Sequence, residues 1–326
     1  ELTLSANIDP HFSGKLTIAL SPENTVEVEE AFFQTRGLAN GINLKAGRFL
    51  SSIGYLNSQH SHTWDFADAP LVYQGLFGGQ YKHDGGQLTW LAPSERFVQL
   101  GLEVGRGDTS PGNDRNRNGA GAVAAFAQLG DDIGDSASWR AGLSYLRTGA
   151  RGRTYTDPLN QIDNAFDGSS RIWGINGVYK WAPSGNASRT SFKLQGEYFW
   201  RRESGHLTYD PDTLAQAIGY RSSQAGGYVQ GVYQFLPAWR VGLRYDRLHS
   251  GNPSFDFGSS GLSATDFPLL AAYRPRRSSL MFDYSPSEFS RLRLQFARDQ
   301  SRPDAVDNQI LLQYIMSLGA HGAHAY

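Results

Sequence analysis

Phe192-Lys193-Leu194-Gln195-Gly196-Glu197-Tyr198-Phe199-Trp200 is the stretch on which the fold turns. Phe192, Leu194, Gly196, Tyr198 and Trp200 share one parity, while Lys193, Gln195 and Glu197 share the other. Successive side chains of a β-strand point to opposite faces, so the segment reads as a strand with one greasy face and one charged face. A helix would scatter the same residues around its circumference.

The period of two recurs along the chain. It appears at Val98, Leu100, Leu102, Val104; at Trp139, Ala141, Leu143, Tyr145; and at Trp173, Ile175, Gly177, Tyr179, Trp181. It returns at Trp239, Val241, Leu243, Tyr245; at Leu280, Phe282, Tyr284; at Leu292, Leu294, Phe296; and at Ile310, Leu312, Tyr314, Met316, Leu318. Segments of about ten residues that alternate apolar-out and polar-in are the signature of an outer-membrane barrel. A soluble sandwich alternates too, but its strands average about six residues. Aromatics gather near the strand ends (Trp139, Trp173, Trp181, Trp200, Trp239), as interfacial girdles require.

Connections supply a second test. Short links at 37–41, 92–95, 130–135, 183–187, 236–238 and 285–287 alternate with long polar ones at 51–79, 107–119, 149–170, 204–222, 250–272 and 300–307. Bacterial barrels have short periplasmic turns and longer outer loops. The expected architecture is therefore all-β: a closed antiparallel transmembrane β-barrel of 14 strands. These lie near 11–20, 25–36, 42–50, 79–92, 96–106, 120–130, 138–148, 171–182, 190–203, 223–236, 239–249, 276–284, 290–299 and 308–318, and form one domain over residues 1–326. Residues 1–9 share the parity of 11–20 and read as an extension of the first strand below Pro10; as a separate strand, together with a missing upstream partner, they would give the alternative count of 16.

Composition agrees. Gly (37), Phe (18), Tyr (16) and Trp (7) abound although mean hydropathy is −0.44, which suits a wall wet on one side and greasy on the other. No stretch approaches the roughly 18 apolar residues of a membrane helix. Cysteine is absent, which excludes disulfides and thiolate chemistry. A net charge of −1 gives no reason to expect nucleic acid. The start, Glu1-Leu2-Thr3-Leu4, already alternates and has neither a basic n-region nor an apolar h-region, so any signal peptide lies outside these residues. Tyr326 ends the sequence on the parity of the last strand, similar to the assembly signal of outer-membrane barrels.

Leu44-Lys45-Ala46-Gly47-Arg48-Phe49, followed by Gly54-Tyr55-Leu56, resembles the phosphate-selective porin O and P family, in which a similar LKxGRF strand leads into a loop. Val26-Glu27-Val28-Glu29-Glu30-Ala31-Phe32 resembles that family's acidic EEAF strand. The likeness covers about the first sixty residues. It implies an aqueous, anion-preferring channel, often trimeric. The chain departs from the family in its strand count and in its five lysines among 30 cations, too few for the family's lysine ladder. It reads as a divergent, porin-like branch.

Strand parity assigns Lys15, Lys45, Arg140, Lys180, Lys193, Arg201, Arg240, Arg244, Arg291 and Arg293 to the lumen, with Glu27, Glu29, Glu103, Glu197, Asp246 and Asp283. Rings of cations favour anions in a pore; alternatively the opposite charges pair across strands and merely hydrate or plug the lumen. The expected function is passive diffusion of small hydrophilic solutes across the Gram-negative outer membrane with weak anion preference. Lipid and lipopolysaccharide would surround the chain, and a homo-oligomer fits the resemblance.

The long link 51–79 carries Tyr55, Trp64, Phe66, Leu71, Tyr73 and Phe77, costly if left bare in water, and is expected to fold against the inner wall or a neighbouring protomer. His60-Ser61-His62 in that link, with Asp65 and Asp68 after it, could capture a divalent metal, and no other cofactor is expected. That gives an alternative function of metal or ligand capture at the outer loops. A rim hydrolase would need His206 near Asp210 or His249 after Asp246, and neither matches the motifs of outer-membrane phospholipases or omptins. No enzymatic activity is expected.

Overall fold

The structure, a computed structural model, describes residues 1–20, 24–112 and 119–318. Its sheet contains sixteen antiparallel strands. They are β1 (Leu2–Asn7), β2 (Phe12–Leu20), β3 (Val26–Thr35), β4 (Ile42–Leu50), β5 (Lys82–Leu91), β6 (Phe97–Gly105), β7 (Ala122–Ile133) and β8 (Ala137–Thr156). There follow β9 (Asp163–Trp181), β10 (Ser191–Tyr209), β11 (Gln216–Leu236), β12 (Trp239–His249), β13 (Ser254–Asp256), β14 (Arg276–Ser287), β15 (Ser290–Gln300) and β16 (Asp307–Met316). One short helix, α1 (Leu71–Phe77), lies between β4 and β5. Tyr326 and the terminal histidines His321 and His324 lie outside the described residues.

The count of 14 is corrected to 16 for two reasons. Asp9 Oδ1 accepts the His11 and Phe12 N–H groups at 2.7 and 2.8 Å and turns the chain over at Pro10. Residues 2–7 thus form a separate strand paired to β2, with Leu4 opposite Leu16. Outward residues face outward residues across a hairpin, so parity ran unbroken through the turn and hid it. The other addition, β13, is a three-residue strand that pairs β11 away from the main path. The remaining fifteen strands pair in sequence order from β1 to β16. Among the described residues no pairing joins β1 to β16, and an odd meander leaves these two edges running in the same direction.

The outward face is apolar and open: Leu194, Tyr198, Trp200, Leu243, Leu292 and Phe296 are all exposed. A band of that extent is untenable in water and suited to lipid. Inward residues such as Gln195, Glu197, Arg201 and Arg293 are buried, which inverts the usual arrangement of a globular core.

The central strands run past any membrane. β8 to β11 span 20, 19, 19 and 21 residues, against the roughly 9–11 that a bilayer needs. The links expected at 149–170 and 204–222 are therefore largely strand. Beyond Trp200 the faces trade character: outward positions become polar (Ser204, His206, Thr208), and the inward ones hold Leu207 and Tyr209. Leu207, Tyr209, Phe166, Ile218 and Tyr220 form a buried cluster with Phe267 from the 250–275 link. Water lies outside these extensions, so their apolar residues turn inward.

Candidate channel constriction

The segment between β4 and β5 does not stand away from the barrel but folds into it. Ile53, Leu56, Trp64, Val72, Tyr73, Leu76, Phe77 and Tyr81 pack with the wall residues Ala122, Ala124, Leu146, Ile172, Phe199 and Tyr228. Burial of one such aromatic is worth about 1.5–3 kcal/mol, and Tyr73 and Phe77 both meet Phe199 edge-on at 5.6 and 5.3 Å. Helix α1 starts after Pro70, with φ preset for helix entry, and stops at Gly78 in the left-handed region (φ 69°). It buries Leu71, Val72, Tyr73, Leu76 and Phe77.

Glu197 is the polar centre of this docking. Buried on the inward face of β10, it accepts the Tyr55 N–H at 2.7 Å, the Leu56 N–H at 3.0 Å, the Tyr73 hydroxyl at 3.0 Å and the Tyr228 hydroxyl at 2.7 Å. Gly54 makes the approach feasible: its φ is +69°, and a Cβ there would lie 2.2 Å from Glu197 Oε2. Two further wall carboxylates take loop donors. Glu103 accepts from the Ser51 hydroxyl and the Ser52 N–H, and Asp246 from the Leu71 N–H.

The loop returns carboxylates to the wall's arginines. Asp65 binds Lys193 at 2.5 Å and Arg240 at 3.2 Å. Asp68 binds Arg244 and Arg277, each at 2.8 Å. Arg293 donates to the Trp64 carbonyl, Arg277 to that of Ala69 and Arg201 to that of Leu76. Sequence reasoning placed Asp65 and Asp68 beside the histidines as metal ligands; here they are spent on cations instead. Arg277, absent from the expected set, carries the inward parity of Asp283 on the same strand, so the signal was present.

The expected cations divide by depth. Arg244 and Arg293 have side chains 1% and 0% exposed and are locked to Asp246 and Asp283. Arg201 lies within 3.8 Å of Glu203 and donates to Gln224. Lys15 binds Glu30 at 2.7 Å, and Lys45 sits over the Phe32 and Phe49 rings. Arg140, Lys180, Lys193, Arg240 and Arg291 instead occupy the short-turn ends of β8, β9, β10, β12 and β15. There Lys193, Arg240 and Arg291 keep 24%, 21% and 22% of side-chain exposure, and the five form a partial ring of cations at that end. Arg240 also pairs with Asp283; Arg291 reaches Asp283 only at 3.8 Å, with its Nε and Nη1 unbonded. A cavity of about 290 Å³ opens at this end, lined in part by Tyr55, Phe97, Arg140 and Lys180.

Burial alone would raise the Asp65 and Asp68 carboxyls, but Lys193 and Arg240 at the first and Arg244 and Arg277 at the second outweigh it. Both are held below the ordinary carboxylate range. A depressed folded-state pKa contributes docking stability that is present above the free value of about 3.9 and lost as pH falls through the folded value. Single-channel conductance should therefore hold steady from neutral pH down to about 4.5 and rise only in stronger acid. A rise near pH 6 would show that these aspartates do not hold the loop.

His60 and His62 stand in the outer part of the loop, against the wall at Glu1, Glu29 and Glu30. The wall here is bulged: Thr17 pairs with Glu30 and Ile18 with Val28, leaving Glu29 as the extra residue. A bulge shifts parity by one, so Glu29 and Glu30 both reach the loop, where simple alternation gave only Glu29. Of the rim candidates, His249 Nδ1 accepts the Gly251 N–H, and Asp246 is engaged by Arg244 and the Leu71 N–H.

No protein-family profile matches the chain. An uncharacterized protein of Aquifex aeolicus is 32% identical over 344 residues, covering 100% of this chain and 69% of that protein. Among solved structures, a loop-deletion mutant of OmpT, an outer membrane protein of Vibrio cholerae, superposes with a TM-score of 0.56 at 13% identity, covering 95% of this chain and 87% of that one. The outer membrane channel DcaP of Acinetobacter baumannii gives 0.54 at 15% identity, covering 96% and 83%. The fold is that of an outer-membrane β-barrel, which crosses the membrane with strands.

Proposed function

We propose that this chain, which belongs to the same family as the Aquifex aeolicus protein, is a passive outer-membrane channel for small hydrophilic solutes, its bore set by the inward-folded segment 51–81. The observation that carries this reading is the docking of that segment on the inner wall through Glu197, Asp65 and Asp68. A charged, water-lined wall narrowed by an ordered loop passes solutes by size and charge and requires no catalytic group. The sheet closes as a barrel in this reading. Lipid and lipopolysaccharide cover the apolar band, and a homo-oligomer is compatible with it.

Weak anion preference is assigned to the ring at the short-turn mouth, the periplasmic end in this family of folds. A small excess of positive charge in a low-dielectric wall enclosing water concentrates anions. The double variant Arg140→Gln, Lys180→Gln is expected to move the reversal potential in a KCl gradient toward cations. Arg244→Gln, buried and paired, should move it much less. The opposite ranking would place selectivity in mid-barrel and sink the assignment.

A further inference from the structure

The contact between the outer loop and the start of the sheet has the form of a metal site. Glu1 Oε2 lies 2.8 Å from His62 Nδ1 and 3.9 Å from His60 Nδ1, and Glu29 Oε2 lies 3.3 Å from the same His60 nitrogen. The Glu1, Glu29 and His60 ligand atoms all fall within 4.8 Å of one another. Zinc bound tetrahedrally at about 2.0–2.1 Å has ligand–ligand edges of about 3.3 Å, in the middle of the observed span. The His60 and His62 rings are stacked, 5.7 Å apart and 23° from parallel, so both turn the same nitrogen toward Glu1.

A second, independent feature points the same way. The far nitrogen of His60, Nε2, lies 2.8 Å from Glu30 Oε2 and 3.0 Å from Lys15 Nζ, and Glu30 is in turn held by Lys15 at 2.7 Å. Ligating histidines almost always donate their other N–H to such a carboxylate, which fixes tautomer and ring orientation. The bulge that brings both Glu29 and Glu30 to the loop thus supplies one ligand and the carboxylate behind another. His62 keeps 46% side-chain exposure, which leaves a path for an ion from solution.

We infer that Glu1, Glu29, His60 and His62 bind one zinc-class divalent ion, with Glu30 orienting His60, and that the ion clamps the outer half of the loop to β1 and β3. Two imidazoles with two carboxylates suit zinc and not the all-oxygen shells of calcium or magnesium. The inference stands apart from the channel reading, since metal uptake is measured without any bilayer.

The test uses the full chain refolded in detergent, with His321 and His324 replaced by Ala so that the terminal pair takes no metal. Zinc titrated calorimetrically should saturate at one equivalent, unaffected by excess magnesium. Cobalt in its place should show the intense visible bands of a tetrahedral site. His62→Gln should abolish saturation or weaken it at least tenfold, while Glu30→Gln should weaken it by about 10–100-fold without removing a ligand. Far-UV circular dichroism checks that each variant keeps its strands, and loss of uptake counts only where they are kept. The site is overturned if the parent chain takes up no zinc, if cobalt shows only weak octahedral bands, or if folded His62→Gln and Glu30→Gln bind as the parent does.

Discussion

Excising Ser52–Gln80 in favour of a short Asn-Gly turn is expected to raise single-channel conductance severalfold and to sharpen anion preference. Both effects have the same origin. The segment fills the lumen against Phe199, Tyr228 and Ile172, so its removal widens the path for ions. It also carries away Asp65 and Asp68, leaving Lys193, Arg240, Arg244 and Arg277 without those partners. With two of their carboxylate partners gone, the wall's cations carry a larger excess of positive charge, which concentrates anions. The sheet itself should persist, because its ladders run between neighbouring strands and none passes through the loop. Conductance equal to the parent's would show that the segment does not limit the bore.

Glu197→Ala is the point substitution with the largest expected effect. It removes the acceptor of two loop N–H groups and of the Tyr73 hydroxyl, all buried. A buried donor left unpaired costs about 1–3 kcal/mol, so docking of the loop should weaken by several kcal/mol. The loop would then leave the wall part of the time. Open-channel current should become noisy, with excursions to the conductance of the excised form, and protease should cut within residues 55–77 of the detergent-solubilised protein. Glu197→Gln keeps one acceptor oxygen and should fall between. Unchanged protease resistance in the alanine variant would place the anchor elsewhere.

How much of this was legible in the sequence depends on what surrounds each face. Where lipid lies outside and the polar lumen inside, alternation is unambiguous, and β12 is found at 239–249 as its pattern indicates. Past Trp200 water lies on the outside, Ser204, His206 and Thr208 take the outward positions, and the apolar row stops. The strand goes on to Tyr209 while its signal changes sides, so it read as a loop. The β1–β2 turn was hidden for the opposite reason, since parity survived it. The bulge at Glu29 is a shift of one residue that no spacing announces, yet it decides which carboxylates meet the histidines.

The candidate site was legible in its parts and not in its pairings. The aromatic content of the 51–79 link required a surface to cover it, and the inner wall provides that surface. Which wall groups receive it depends on contacts more than 120 residues apart, such as Tyr73 with Glu197. Parity placed Arg240, Arg244, Asp246 and Asp283 on one face but could not show that Asp65 and Asp68 come from another element to join them. Parity left a cation track and cross-strand pairing both open, and the loop takes Arg201, Arg240, Arg244 and Arg293 as partners.

The most direct test of the central claim is single-channel recording of the unmodified protein in a planar bilayer under a KCl gradient. A loop-narrowed diffusion channel predicts discrete, long-lived current steps of small size, with a reversal potential slightly on the anion side. A bilayer that stays silent although the protein is folded and inserted, or a reversal potential on the cation side, would contradict it.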